Sequence, residues 1–277
     1  MNKSFKRFAL PYFIWLIILA VVPVIMMFGL IFLDSEGISL DEATLTFSNF
    51  SYLAEEAVLV GFKNSLKFAV ISTLICFAIG YILAYQVFRS RFKNKFIILT
   101  IFILPMWSNL LLRTEALGNI MEANNILTDL LSKININLAL DIKGTELAIL
   151  IGLVFTYLPF MILPIYTALE KIDPSLEEAA IDLGVTDIKK FWKVVFPMSF
   201  KGVVTGSIMV FLPCMSGFAI PEILGKGNYM FIGTLIDLNF KYVDYNYASL
   251  LAIIVLVMIL GSLLIVNKVD KEGETLL

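Results

Sequence analysis

Residues 170–197 read Glu170-Lys171-Ile172-Asp173-Pro174-Ser175-Leu176-Glu177-Glu178-Ala179-Ala180-Ile181-Asp182-Leu183-Gly184-Val185-Thr186-Asp187-Ile188-Lys189-Lys190-Phe191-Trp192-Lys193-Val194-Val195-Phe196-Pro197. Two short helices are written into this stretch. Asp173 is a natural N-cap and Pro174 a natural first helical residue. Glu177 and Glu178 fall in the first turns, where the helix dipole favours anions. Leu176, Ala179, Ala180 and Leu183 recur at i, i+3, i+4 and i+7 and share one face. Gly184 suits a left-handed helix stop. Thr186 or Asp187 can cap a second helix with Ile188, Phe191, Trp192 and Val195 on its apolar face. Pro197 ends that helix or bends it into the next apolar run. The first helix is acidic, which argues against a DNA-binding helix-turn-helix.

Outside this stretch the chain is of a different kind. Of 277 residues, 59% are apolar and 16% charged. An average soluble domain is about 45–50% apolar and about 25% charged. A membrane helix needs about 20 apolar residues. Charge-free runs at 10–33, 68–88, 96–112, 147–169, 202–221 and 247–267 meet or approach that length. The expected architecture is therefore an all-α integral membrane protein, one six-span domain over residues 1–277. The third run is the shortest. Prolines at 159, 164, 213 and 221 are expected to kink or end helices locally. The first run has 24 uncharged residues and no small-x-small site after it, so it reads as a retained span and not as a secretory signal.

Lys and Arg mark the cytoplasmic loops of membrane proteins. The N-terminus, the 89–95 loop, the 170–201 loop and the C-terminal tail together carry 14 of the 21 Lys and Arg. Arg89, Arg91, Lys93 and Lys95 crowd into seven residues. Both termini are thus expected in the cytoplasm, with loops 34–67, 113–146 and 222–246 facing outward. The outward loops are long enough for a surface helix, for example around 115–132. Asp and Glu run the other way, so the outer side carries a net −7 and the cytoplasmic side +5.

Several function classes lose their key part. There is no histidine, which removes the commonest general base and metal ligand. Cys76 and Cys214 lie in apolar runs and read as small buried hydrophobes. The net charge of −2 argues against nucleic acid as a partner. No span carries Asp, Glu, Lys or Arg at its middle, where ion-coupled carriers and intramembrane enzymes place them. No glycine-rich phosphate loop occurs, and Gly225-Lys226-Gly227-Asn228 is only a turn-like fragment. No catalytic residue and no metal site is assigned. If a nucleotide powers transport, another subunit binds it.

Glu178-Ala179-Ala180, three residues, Gly184, nine residues and Val194-Val195-Phe196-Pro197 resemble the EAA motif of binding-protein-dependent ABC importer permeases. The family pattern is Glu-Ala-Ala, three, Gly, nine, Ile-x-Leu-Pro. Val and Phe replace its Ile and Leu. The motif sits in the expected loop, between the antepenultimate and penultimate spans. Residues 104–113, 152–161 and 212–215 are similar to segments of the spermidine/putrescine permeases of that family. The resemblance implies a non-catalytic subunit of the bacterial inner membrane with the type I importer permease fold. It implies that Glu177, Glu178, Ala179, Ala180, Gly184 and Pro197 serve coupling to a cytoplasmic ATPase. The implied partners are a second homologous permease, two ATPase subunits, an external substrate-binding protein and a polyamine substrate. ATP and Mg would sit on the ATPase, and no cofactor on this chain. Related permeases handle other small solutes, and an ion-coupled secondary transporter is the competing class.

A flexible polycation calls for carboxylates, carbonyls and aromatic faces along its path, with cation–π contacts contributing about 0.5–2 kcal/mol each. Candidates on the outer side of the spans are Trp107, Asn109, Tyr157, Glu222 and Asp237. Each has a plainer role open to it. Trp107 suits an interfacial belt. Tyr157 suits a core. Asn109, four residues before Arg113, suits a cap or an interhelical bond. The two carboxylates suit a solvated loop. Gly202-x-x-x-Gly206 suits close helix packing within the chain.

Overall fold

The computed structural model describes residues 3–34, 44–123, 125, 128 and 141–269. Within them the chain is helical. α1 spans Lys3–Leu30, α2 Glu56–Arg89, α3 Lys95–Ile103, α4 Leu110–Ile120 and α5 Glu146–Glu170. α6 (Pro174–Asp182) and α7 (Asp187–Lys190) follow, then α8 (Phe196–Ser216), α9 (Ala219–Gly225), α10 (Ile232–Lys241) and α11 (Tyr245–Val269). A two-residue antiparallel pair, Leu33 with Leu45 and Asp34 with Thr44, closes the exit of α1. Asn49 pins that exit by donating to the carbonyls of Ile31 and Leu33, both at 2.8 Å.

Five helices are long and apolar enough to cross a membrane, and a sixth span is completed if a bent pair is taken as one. The expected runs at 10–33, 147–169 and 247–267 fall on α1, α5 and α11. Three boundaries differ from expectation. α2 begins at Glu56, twelve residues ahead of the apolar run at 68. Its 34 residues make a rod about 50 Å long, longer than the roughly 30 Å hydrocarbon core. Lys67 in its fourth turn pairs with Glu146 at the start of α5 at 2.7 Å, so a polar contact ties α2 to the start of α5.

The run 96–112 is not one straight helix. α3 and the turn behind it meet α4 at 93°. Pro105 lies in a 3-10 turn over Leu104–Trp107, Ser108 is extended, and Asn109 starts a new helix. The break frees the Pro105 carbonyl, and three donors satisfy it: the Ser108 amide, the Ser108 hydroxyl at 2.7 Å and the Arg113 guanidinium. The run 202–221 is also cut. α8 stops at Ser216, Gly217 is extended, and α9 follows as a separate short helix. Prolines 159, 164 and 213 lie inside continuous helices and Pro221 lies inside α9, so none of them ends a helix. The expected helix around 115–132 is described only in part, with α4 ending at Ile120. The remainder falls largely outside the described residues, as do parts of loop 34–67.

The core is the three-helix contact of α2, α5 and α8. Phe68, Ala69 and Cys76 of α2 meet Leu153, Met161, Ile162 and Ile165 of α5 and Val203, Val210 and Cys214 of α8. Both cysteines are buried free thiols. Gly202 and Gly206 set the α8–α5 distance. A Cβ on Gly202 would stand 2.4 Å from the Pro164 carbonyl oxygen, and one on Gly206 would stand 2.9 Å from Met161 Sδ. The small-residue motif therefore serves packing within this chain. α9 lies against α4 and α5, and α10 joins α2 to α11.

Candidate coupling surface and pathway residues

The 170–197 segment folds as two helices joined by a tight stop. Asp173 caps α6, its carboxylate accepting from the Ser175 amide at 2.9 Å. That backbone bond holds the Asp173 carboxyl below its usual value. At the other end the Val185 amide donates to the Ala180 carbonyl and the Gly184 amide to the Ile181 carbonyl. This is a Schellman stop, with Gly184 left-handed at φ +72°. No atom outside its own chain neighbours lies within 4 Å of where a Gly184 Cβ would stand. The glycine is therefore set by backbone conformation and not by crowding.

The second helix runs from Asp187 into α8 without interruption, as 30 helical residues to Ser216. Between α7 and α8 the turn is a π-helix over Phe191–Val195, and the Phe196 amide reaches back five residues to the Phe191 carbonyl. Pro197 has no N–H, so the ordinary bond to the Lys193 carbonyl cannot form. The wider turn just ahead of the proline shifts the register and keeps the helix continuous. Pro197 thus neither ends the helix nor breaks it.

The two neighbouring glutamates face opposite ways. Glu177 is 8% exposed, and Ala180 is the other buried residue of α6. Glu178 and Ala179 are exposed. Glu177 Oε2 accepts from Arg89 Nη2 at 2.5 Å and lies 3.8 Å from Lys190 Nζ. Lys190 also pairs with Asp187 at 3.0 Å. The Arg89 guanidinium donates to the Tyr85 hydroxyl at 3.1 Å and lies over the Tyr85 and Phe88 rings. The larger apolar residues of this segment do not pack on the bundle. Leu176, Ile181 and Leu183 are exposed, Leu183 at 82%, and Ile188 and Trp192 continue the exposed apolar surface. Next to it, Tyr81, Tyr85, Ile188, Phe191 and Trp192 line a groove of about 550 Å³. A solvent-exposed apolar strip beside outward Glu178 is suited to docking a partner. The sequence carries no signal that pairs Arg89 with Glu177, because the two are 88 residues apart.

The five pathway candidates lie in different settings. Trp107 is 86% exposed. Asn109 is the N-cap of α4, its Oδ1 accepting from the Leu111 and Leu112 amides. Tyr157 lines a cavity of about 100 Å³ with Leu110, Leu153, Gly217, Phe218 and Pro221. The breaks before α4 and before α9 thus meet at this tyrosine. Glu222, in the first turn of α9, is exposed. Asp237 pairs with Lys241 at 2.6 Å. Donating a hydrogen bond to Asp237 raises the Lys241 pKa, and the Asp237 and Glu222 charges add to the effect. Glu222 and Asp237 therefore act on the same cation, while Trp107 and Asn109 stand apart from them.

Residues 76–271 match the family model described as "Binding-protein-dependent transport system inner membrane component". The chain is 31% identical to the spermidine/putrescine transport system permease protein PotB of Haemophilus influenzae, over 98% of this chain and 99% of that protein. It is 30% identical to PotB of Escherichia coli K12, over 91% and 92%. Its fold is similar to that of a bacterial alginate ABC transporter solved with an alginate pentasaccharide-bound periplasmic protein. That likeness has a TM-score of 0.75 at 18% identity and covers 98% of this chain and 95% of the other. By the family match and the PotB identities, this chain belongs to the inner-membrane permease components of binding-protein-dependent ABC importers.

Proposed function

We propose that this chain is one of two permease subunits of an ATP-driven importer of polyamines, spermidine or putrescine. The observation that carries the transport role is the EAA segment. It is folded as α6 and α7, anchored inward through Glu177 and presenting Glu178, Ala179, Leu183 and Ile188 outward. The substrate class rests on the PotB relatives, which are named for spermidine and putrescine and align along almost the whole chain.

In this reading α6 and α7 face the cytoplasm, as do both termini, in keeping with the Lys and Arg distribution. The exposed strip docks on one of two ATPase subunits, which hold ATP and Mg. A second permease completes the pathway, and an external binding protein delivers the polyamine. Closure of the ATPases moves α6 and α7, and the movement passes along α2 and α8 into the bundle. Discontinuous helices mark substrate sites in many transporters. The two breaks that meet at Tyr157 are the corresponding place here, with Glu222 and Asp237 available to a polycation on the outer side.

Reconstitution tests this. The chain should co-purify with an ATPase and a second permease. Spermidine-loaded binding protein should raise the ATPase rate of that complex in proteoliposomes. Uptake by vesicles holding this chain alone would instead favour an ion-coupled carrier. Stimulation by another loaded solute, with none by polyamines, would move the substrate class and keep the importer.

A further inference from the structure

α6 is joined to the rest of the molecule in an unusual way. Its buried residues are Glu177 and Ala180, and its larger apolar side chains all face outward. A carboxylate this buried needs cationic partners. Those partners come from the ends of two other elements: Arg89 is the last residue of α2 and Lys190 the last of α7. Arg89 is itself held from behind by the Tyr85 hydroxyl and the Tyr85 and Phe88 rings. Its guanidinium therefore has little freedom to follow Glu177 without moving α2.

α2 is well placed to carry such a movement. It is one uninterrupted 34-residue helix that supplies Phe68, Ala69 and Cys76 to the core. Near its far end the Ser65 hydroxyl accepts from the Ile232 amide at the start of α10. A pull on Arg89 thus acts on a rod that ends beside α10, the helix bearing Asp237.

We infer that Arg89 is a positioning residue that couples α6 to α2 through Glu177, and that this ion pair transmits ATPase movement to the pathway. The inference rests on the function proposed above. Glu178 faces the partner and Glu177 faces inward, so the adjacent carboxylates divide docking from transmission.

The test uses the reconstituted complex of this chain with its partner permease, ATPase and spermidine-loaded binding protein. Arg89→Gln and Glu177→Gln are made singly and together, and substrate moved per ATP hydrolysed is measured. The complex is expected to assemble and hydrolyse ATP, with transport per ATP down at least fivefold in each single variant. The double variant should be no worse than either single one, because both remove one shared interaction. Arg89→Lys should recover at least half of the loss. Lys190→Gln should change the ratio less than twofold, since its contact with Glu177 is longer and it has Asp187 as well. An unchanged ratio in assembled single variants overturns the inference, and so does a double variant showing the product of the two losses. Should Arg89→Gln fail to assemble, Tyr85→Phe replaces it. That change removes only the hydroxyl holding Nε, and a wild-type ratio there overturns the inference. A wild-type complex that ignores the loaded binding protein would sink the proposed function instead.

Discussion

Where α8 crosses α5, glycine lets backbone meet backbone. Gly202 lies against the Pro164 carbonyl and Ala168, and Gly206 lies against Met161. Where α6 meets α2 and α7, the contact is a carboxylate between two cations, with no large apolar side chain buried from α6. The first joint is close-packed and tolerates no change of volume. The second is directional and few-membered. The difference teaches that a close-packed helical core and a helix held at its surface are joined by different chemistry. Packing fixes the core, and a small number of charged contacts tether α6.

The sharpest way to break the comparison is Gly202→Leu. Its Cβ alone would stand 2.4 Å from a carbonyl oxygen, and overpacking of this kind costs on the order of 1–3 kcal/mol before the larger side chain is placed. Loss of the folded, monodisperse protein in detergent is expected, read by size-exclusion chromatography. Normal yield and thermal stability would show that the helices can part.

Leu183→Glu and Ile188→Glu probe the other region. Both residues are exposed, so stability should stay within about 0.5 kcal/mol. Co-purification of the ATPase should fall at least tenfold. A variant that retains the ATPase fully would mean that the outward strip is not the docking face.

A smaller effect is expected from Gly184→Ala. There is room for the methyl group, yet φ is +72°, and a left-handed residue with a Cβ costs about 1–2 kcal/mol. The strain should re-angle α6 against α7. Transport per ATP should drop with little change in melting temperature, measured side by side in proteoliposomes. A melting temperature that falls as far as for a core variant would place Gly184 in the packed region.

The smallest effect concerns pH. Asp173 has its carboxyl held below the ordinary value by the Ser175 amide. The sign follows from linkage: a depressed folded pKa stabilises above the unfolded value, near 4, and that contribution disappears as pH falls through the folded value. Protection of the α6 amides in hydrogen exchange should therefore weaken on acidification below that range. Asp173→Asn should keep a cap and lose the pH dependence. An identical acid response in both would mean that another group sets it.

Much of this was legible in the chain itself, because the relevant signals are local. The apolar runs marked the spans, since transfer to lipid depends on composition along a helix. Asp173-Pro174 and Gly184 fixed both ends of α6 to the residue, since caps are built from neighbours. Boundaries failed where polar residues continue a helix beyond the bilayer, as at Glu56. They also failed where a break hides inside an apolar run. Pro105 with Ser108-Asn109 was a visible stop-and-cap signal; Gly217 after Pro213 was a weaker one. The EAA spacing was legible as a motif, but its spacing is silent on which glutamate turns inward.

The sequence by itself therefore determined the membrane class, the apolar runs that become the long helices, the helix–stop–helix of the 170–197 segment, and the family resemblance. All of these rest on periodicity, transfer energy and capping between residues close in the chain. Only the tertiary structure decided that Glu177 is the tether and Glu178 the outward residue, and that two helix breaks converge on Tyr157. It also decided that Gly202 and Gly206 seat α8 on α5. Each of those outcomes depends on a partner far along the chain, such as Arg89 for Glu177, 88 residues away. Such a partner is met only once the helices have packed.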